Sequence, residues 1–209
     1  MKKILAAMLI LGLGMAATAA MAETAAPEKA AVPLTKKERI LAKLEKSINA
    51  VKTMQAKIVQ TTNRDEDIFG SLLVAKPNKM LLNYENSDTV LMADGYNIIF
   101  YEPSLDQVSY IGLEDSPAFL VLSQDFSFAD ERLDMLDYWD EGSEVHITLA
   151  MKKDPLAGRI SLVFDKKSGE LKGWTLKDAK NNRTRIMLVE PKYNVAIDDS
   201  LFEFKKKEK

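Results

Sequence analysis

The chain has no cysteine and a single histidine in 209 residues. Without a thiol there is no disulfide framework, no thiolate metal site, no catalytic cysteine and no lipid-modified cysteine at a processed N-terminus. One imidazole excludes multi-histidine metal sites. That residue, His146, sits in the alternating stretch Val145-His146-Ile147-Thr148, which places it on the outer face of a strand as a bystander. There is no Gly-x-Ser-x-Gly elbow, so a secreted hydrolase lacks its usual parts. Neither sign of charge dominates: 29 Lys and Arg against 31 Asp and Glu give −2. Such a balance exerts no strong pull on nucleic acid or an anionic membrane. Long apolar runs are also absent, save one at the very start.

That run reads as a signal peptide over residues 1–22. Lys2 and Lys3 form a positive n-region, Ile4 to Ala20 carries no charge, and Ala20-Met21-Ala22 is a small-x-small cleavage site before Glu23. Helix-breaking Gly12 and Gly14 argue against an uncleaved anchor. Cleavage would remove Lys2 and Lys3 and no acid, leaving a more acidic, exported chain. Residues 23–34, with Pro27 and Pro33, read as a flexible Ala/Pro leader. A single domain is expected over 35–205, with a basic tail at 206–209.

The domain opens on an amphipathic helix of about five turns. Thr35 and Glu38 have the spacing of a capping box, and Ile40, Leu41, Leu44, Ile48 and Val51 recur at helical intervals. After Lys52 the period falls to 2. About eleven strands are expected: Thr53–Thr62, Asp67–Lys76, Lys79–Glu85, Asp88–Ala93, Tyr96–Glu102, Asp106–Ile111, then Arg132–Trp139, Glu144–Met151, Gly158–Asp165, Leu171–Asp178 and Arg183–Glu190. Asn86-Ser87, Asp94-Gly95, Glu141-Gly142-Ser143, Lys167-Ser168-Gly169 and Asn181-Asn182 supply turn chemistry, and links this short make antiparallel neighbours. Between Ser116 and Asp125 the meander breaks, where Pro117 to Leu122 form a short helix, apolar nearly all round. The class is mainly β, one long antiparallel sheet with two helices. A half-open barrel with a lid over a cavity and a packed two-sheet sandwich fit this pattern equally.

Several motifs then appear in a recognisable order. Phe69-Gly70-Ser71-Leu72-Leu73-Val74-Ala75-Lys76-Pro77 resembles the "G-x-L-x-V-x-R-P" strand of the periplasmic outer-membrane lipoprotein carrier (LolA) family. Ala93-Asp94-Gly95-Tyr96-Asn97-Ile98-Ile99-Phe100-Tyr101-Glu102-Pro103 resembles its "S-D-G-x-x-L-W-x-Y-x-P" hairpin. Pro117-Ala118-Phe119-Leu120-Val121-Leu122 sits where the family has "T-P-x-x-L-L", and Leu201-Phe202-Glu203-Phe204 matches its closing "F-x-F". The similarity runs from about Lys36 to Phe204.

The resemblance implies an incomplete antiparallel barrel closed by helices over a hydrophobic cavity. It implies a monomeric, non-enzymatic carrier, without cofactor or metal, in the periplasm of a Gram-negative bacterium. Its partners would be acylated lipoproteins, an inner-membrane ABC-type release complex and an outer-membrane lipoprotein receptor. A periplasmic lipid- or lipoprotein-sensing regulator of the same fold is the alternative.

Strand phase and family position nominate the cavity residues: Leu72 and Val74, Met80, Leu82 and Tyr84, Val90 and Met92, and Ile98 and Phe100. Ile58, Phe119 and Leu122 are expected from helix and lid contacts. A one-residue phase error would carry a strand's whole set to the opposite face. Lys76 departs from the family, which has arginine there to bond the lid backbone and lock it. A lysine offers no planar fork of donors, so either it holds the lid more weakly or Arg64 takes the part. Trp139 and Trp174 are assigned to sheet packing, and Asp65-Glu66-Asp67 and Asp198-Asp199 to solvated turns, for want of calcium-loop spacing.

Overall fold

A computed structural model describes residues 33–206 except 64–65, 117 and 157. The expected signal peptide, most of the leader, Arg64 and the end of the basic tail lie outside the described residues. Helix α1 spans Lys36–Ala50. Its first turn carries the capping box: Glu38 N donates to Thr35 Oγ1 at 3.2 Å, and Thr35 N donates to Glu38 Oε2 at 2.7 Å. Two backbone donors that the helix cannot satisfy are thereby paired.

Eleven strands follow: β1 (Thr53–Thr62), β2 (Asp67–Ala75), β3 (Lys79–Tyr84), β4 (Ser87–Asp94), β5 (Asn97–Glu102), β6 (Gln107–Gly112), β7 (Leu133–Glu141), β8 (Glu144–Met151), β9 (Gly158–Asp165), β10 (Leu171–Asp178) and β11 (Arg183–Tyr193). Helix α2 spans Ala118–Leu122, between β6 and β7. All eleven join one antiparallel sheet in the order β6-β5-β4-β3-β2-β1-β11-β10-β9-β8-β7. The ends β6 and β7 do not pair, so the sheet is an unclosed barrel and not a two-sheet sandwich. The turn between β4 and β5 shows its chemistry plainly. Asp94 Oδ1 accepts from the backbone N–H groups of Tyr96 and Asn97 at 2.9 and 2.8 Å, around Gly95 at φ 109°.

One face of β8 and β9 is a solid core. Val145, Ile147 and Leu149 stand opposite Phe164, Leu162 and Ile160 in register, and all six are buried beneath Leu44 and Ile48 of α1. Polar side chains fix the helix over this wing. Asn49 exchanges two hydrogen bonds of 2.9 Å with the backbone of Phe126, while Glu45 accepts from Phe128 N at 2.7 Å. Lys43 donates to the carbonyls of Lys166 and Lys167.

Strand β11 runs past its expected end at Glu190 to Tyr193. Pro191 lacks an N–H and should stop a strand. Instead the register shifts: Val189 faces Lys57 and Lys192 faces Gln55, so Glu190 and Pro191 together oppose Ala56. Glu190 takes φ 51°. This is a β-bulge that absorbs the proline and lets the ladder resume.

Candidate functional site

The other wing leaves its concave face partly unfilled. A single register line crosses seven strands: Tyr193, Met54, Val74, Met80, Ala93, Ile98 and Ile111. A parallel line holds Leu72, Leu82, Leu91 and Phe100. Over Tyr193, Met54, Val74, Met80 and Ile98 of the first line and Leu72, Leu82 and Leu91 of the second, beneath the end of α1 and α2, lies an apolar cavity of about 460 Å³. Val121 and Leu122 of α2 and Ile48, Ala50 and Val51 from the end of α1 roof it, and Trp174, Leu162 and Ile186 extend it toward the packed wing.

Leu72, Val74, Met80, Leu82, Ile98 and Leu122 line this cavity, as does the hydrocarbon stem of Lys76. Ile58 is buried in the same apolar cluster without lining the space, and Tyr84 and Phe119 pack at its margin. The Tyr84 hydroxyl donates to Gln60 Oε1 at 2.8 Å. Phe100 shares the concave face with Leu91, its register partner, but lies beyond the cavity and is 39% exposed.

Val90 and Met92 are corrections. They point to the convex face, where Met92 packs with Leu81, Ile99 and Phe202, and Val90 beside them. In β4 it is Leu91 and Ala93 that face inward. The cause is the C-terminal segment: the 3-10 turn Asp199–Phe202 lays Phe202, 3% exposed, across the convex side of β3–β5. Both faces of β4 are therefore apolar.

Trp174 packs in the sheet as expected and does one thing more. It contributes to both apolar clusters and lines the cavity. Met54 and Tyr193 were also missed. Met54 is in the correct phase of β1 and was legible; Tyr193 arrives only through the bulge at Glu190–Pro191. Its hydroxyl is buried with no hydrogen-bond partner among the described residues, and burial, with the Glu170 carboxylate nearby, raises its pKa.

Lys76 lies where the cavity meets the end of α1. Its Nζ donates to the Ile48 carbonyl at 3.1 Å. The acceptor is thus α1, not the backbone of α2. Burial pulls its pKa down to about 8, Lys52 adds repulsion, and Asp125 partly offsets both. Helix α2 is held instead by the β2–β3 turn: Asn78 N donates to the Leu122 carbonyl at 2.8 Å. Asn194 completes this end. Its Oδ1 accepts from Lys52 N at 2.8 Å and its Nδ2 donates to the Ala50 carbonyl at 3.2 Å.

His146 is half-buried on the convex side, its ring 4.5 Å from that of Trp139 and its Nε2 3.1 Å from Glu144 Oε2. Among the described residues no cluster of three or more metal-ligating side chains is present, and no helix is long and apolar enough to cross a membrane.

An unclosed antiparallel sheet, roofed by two helices over an apolar cavity whose few polar groups lie along its margin, defines a hydrophobic-ligand carrier fold. The chain belongs to the family of the outer membrane lipoprotein carrier protein LolA, whose family model matches residues 49–205. It is 28% identical over 168 residues to the outer-membrane lipoprotein carrier protein of Pseudomonas aeruginosa PAO1, covering 75% of this chain and 79% of that one. With the protein of the same name from Pseudomonas putida KT2440 it shares 29% over 181 residues, covering 80% and 82%. A crystal structure of a LolA superfamily protein from Nitrosomonas europaea aligns with a TM-score of 0.47 at 12% identity, over 82% of this chain and 99% of that one.

Proposed function

We propose that this protein is an exported periplasmic carrier that covers the acyl chains of lipoproteins in its cavity and carries them from the inner to the outer membrane. The observation that supports this reading is the apolar cavity of about 460 Å³ in a member of this family. A methylene is about the size of a water molecule, ~30 Å³ in the liquid, so the space accommodates about fifteen of them. At about 0.8 kcal/mol for each buried methylene, that is roughly 12 kcal/mol of gross transfer free energy. The walls are mostly Leu, Ile, Val and Met, which grip hydrocarbon of any shape.

Such a ligand must also be released. Helix α1 is tied down by Lys43, Glu45 and Asn49, whereas α2 has five residues, the Asn78–Leu122 backbone bond and the Arg132 guanidinium over the Phe119 ring. Helix α2 is the element that moves. No bond is made or broken in this cycle, so the protein works as a chaperone and not as an enzyme. The donor would be an ABC-type release complex of the inner membrane, and the acceptor an outer-membrane lipoprotein receptor.

The test is release. Spheroplasts synthesising an acylated lipoprotein are incubated with purified protein beginning at Glu23. Lipoprotein should appear in the medium as a one-to-one soluble complex, and a non-acylated variant should not. Cargo that stays on the membrane at every concentration would remove the carrier reading, and the lipoprotein-sensing regulator would replace it.

A further inference from the structure

The apolar concave surface does not end where the cavity ends. Ile98 lines the cavity, and its register partner across the β5–β6 ladder is Ile111, on the edge strand and 54% exposed. Leu91 lines it as well, and its partner Phe100 is 39% exposed. Antiparallel partners share a face, so Phe100 and Ile111 continue the cavity wall into solvent. Ser109, opposite Phe100, and the Glu102–Gln107 pair bound this strip with polar groups. Two large apolar side chains left open beside an apolar cavity call for a ligand larger than the cavity.

The volume says what the remainder is. Space for about fifteen methylenes, at ~30 Å³ each, matches one long acyl chain. A lipid anchor with two or three chains exceeds it. We propose that the Phe100–Ile111 lip on β5 and β6 is a second acyl subsite, which receives the hydrocarbon that the cavity does not hold. The first chain lies under α2 against Met80 and Leu82. The others pass over Ile98 and lie along the lip, shielded on one side only. The inference rests on the carrier reading and adds to it a selection for ligands with several chains.

Two probes separate the subsites. One is cis-parinaric acid, a fluorescent single-chain fatty acid; the other is a synthetic tripalmitoylated lipopeptide that competes with it. The wild-type protein should bind both. Phe100→Ser/Ile111→Ser changes exposed side chains and should keep the fatty acid within about twofold, while its affinity for the lipopeptide falls about tenfold or more, as expected for losing much of the apolar contact of two side chains. Leu82→Glu should lose both probes. Equal lipopeptide binding by the double variant and the wild type would overturn the lip, as would loss of the fatty acid by a folded double variant. Ultracentrifugation supplies another check: a wild-type dimer that the two serines dissociate would assign the lip to a second copy of the chain. Failure of the wild type to bind either probe would instead bring down the carrier reading itself.

Discussion

The Lys76 ammonium, at the end of β2, lies 3.1 Å from the carbonyl oxygen of Ile48 in the last turn of α1. That turn carries no basic residue of its own. The C-terminal end of a helix has a partial negative charge and unpaired carbonyls, and Lys76 supplies the cation from another element. The same contact places an amine against an apolar cavity, and the two settings oppose one another. The helix end favours its charge, and burial penalises it more strongly, which is why its pKa falls to about 8.

That balance gives a pH signature. Between about pH 8 and the ordinary lysine value of 10.5, the unfolded chain keeps a proton that the folded chain has released, so stability rises with pH across this window. Below about 8 both states are charged and this group contributes no slope. Lys76→Met should flatten the rise. In urea unfolding at pH 7.5 and 10, the difference between wild type and variant should change by about 1 kcal/mol, after allowing for the part of the side chain that water reaches.

Lys76→Arg tests how the roof is held. A guanidinium can keep the Ile48 bond and aim further donors at Asp125, just past α2, so that it ties the fixed helix to the one that moves. The empty protein should melt a few degrees higher, as expected for about 1 kcal/mol. Loading of a hydrophobic dye should slow, because a ligand that needs the open state bears the cost of opening. Stopped-flow dye uptake and calorimetry would check both, and unchanged values in each would contradict the assignment.

Leu91 and Met92 are consecutive and lie on opposite faces. Leu91→Glu should abolish dye uptake while the protein stays folded, since a carboxylate facing an apolar cavity is costly. Met92→Ala should cost about 2–3 kcal/mol in denaturant unfolding by opening a void under Phe202, and leave dye affinity unchanged. The reverse pattern would mean that β4 is shifted by one residue.

Asn194 ties the end of β11 to the end of α1 through two side-chain hydrogen bonds and takes φ 55°. Asn194→Ala loses both bonds and places alanine in left-handed backbone. It should cost about 2 kcal/mol in urea unfolding. Hydrogen exchange at Lys52, whose amide the Asn194 side chain accepts, should quicken ahead of the core of β8 and β9.

The limits of the sequence are visible in single strands. From Glu144 to Leu149 in β8 and from Arg159 to Leu162 in β9, apolar residues alternate with polar ones, and the ends read from the pattern are those of the structure. In β4 the run Val90-Leu91-Met92-Ala93 is apolar throughout, because Phe202 covers the convex face while the cavity occupies the other. Period 2 then carries no phase, and a distant segment decides it. The pattern alone ends β11 at Glu190, because a bulge is a property of a strand pair and not of one strand. The cavity contact of Trp174 is hidden for a similar reason: only the ladder from β1 through β11 to β10 brings the indole there.

The strand order has a consequence for how the chain finds its shape. Ten neighbouring pairs make the sheet, and nine of them join strands consecutive in the chain; β1 with β11 is the exception. Nine hairpins can therefore close with little loop entropy, giving two meanders that meet along one long-range seam. That seam is the slow step and the natural place for a break. Two polypeptides divided in the connection between β6 and β7 would each keep a complete meander. Mixed, they should reassemble through β1 and β11, with the ligand space rebuilt from both.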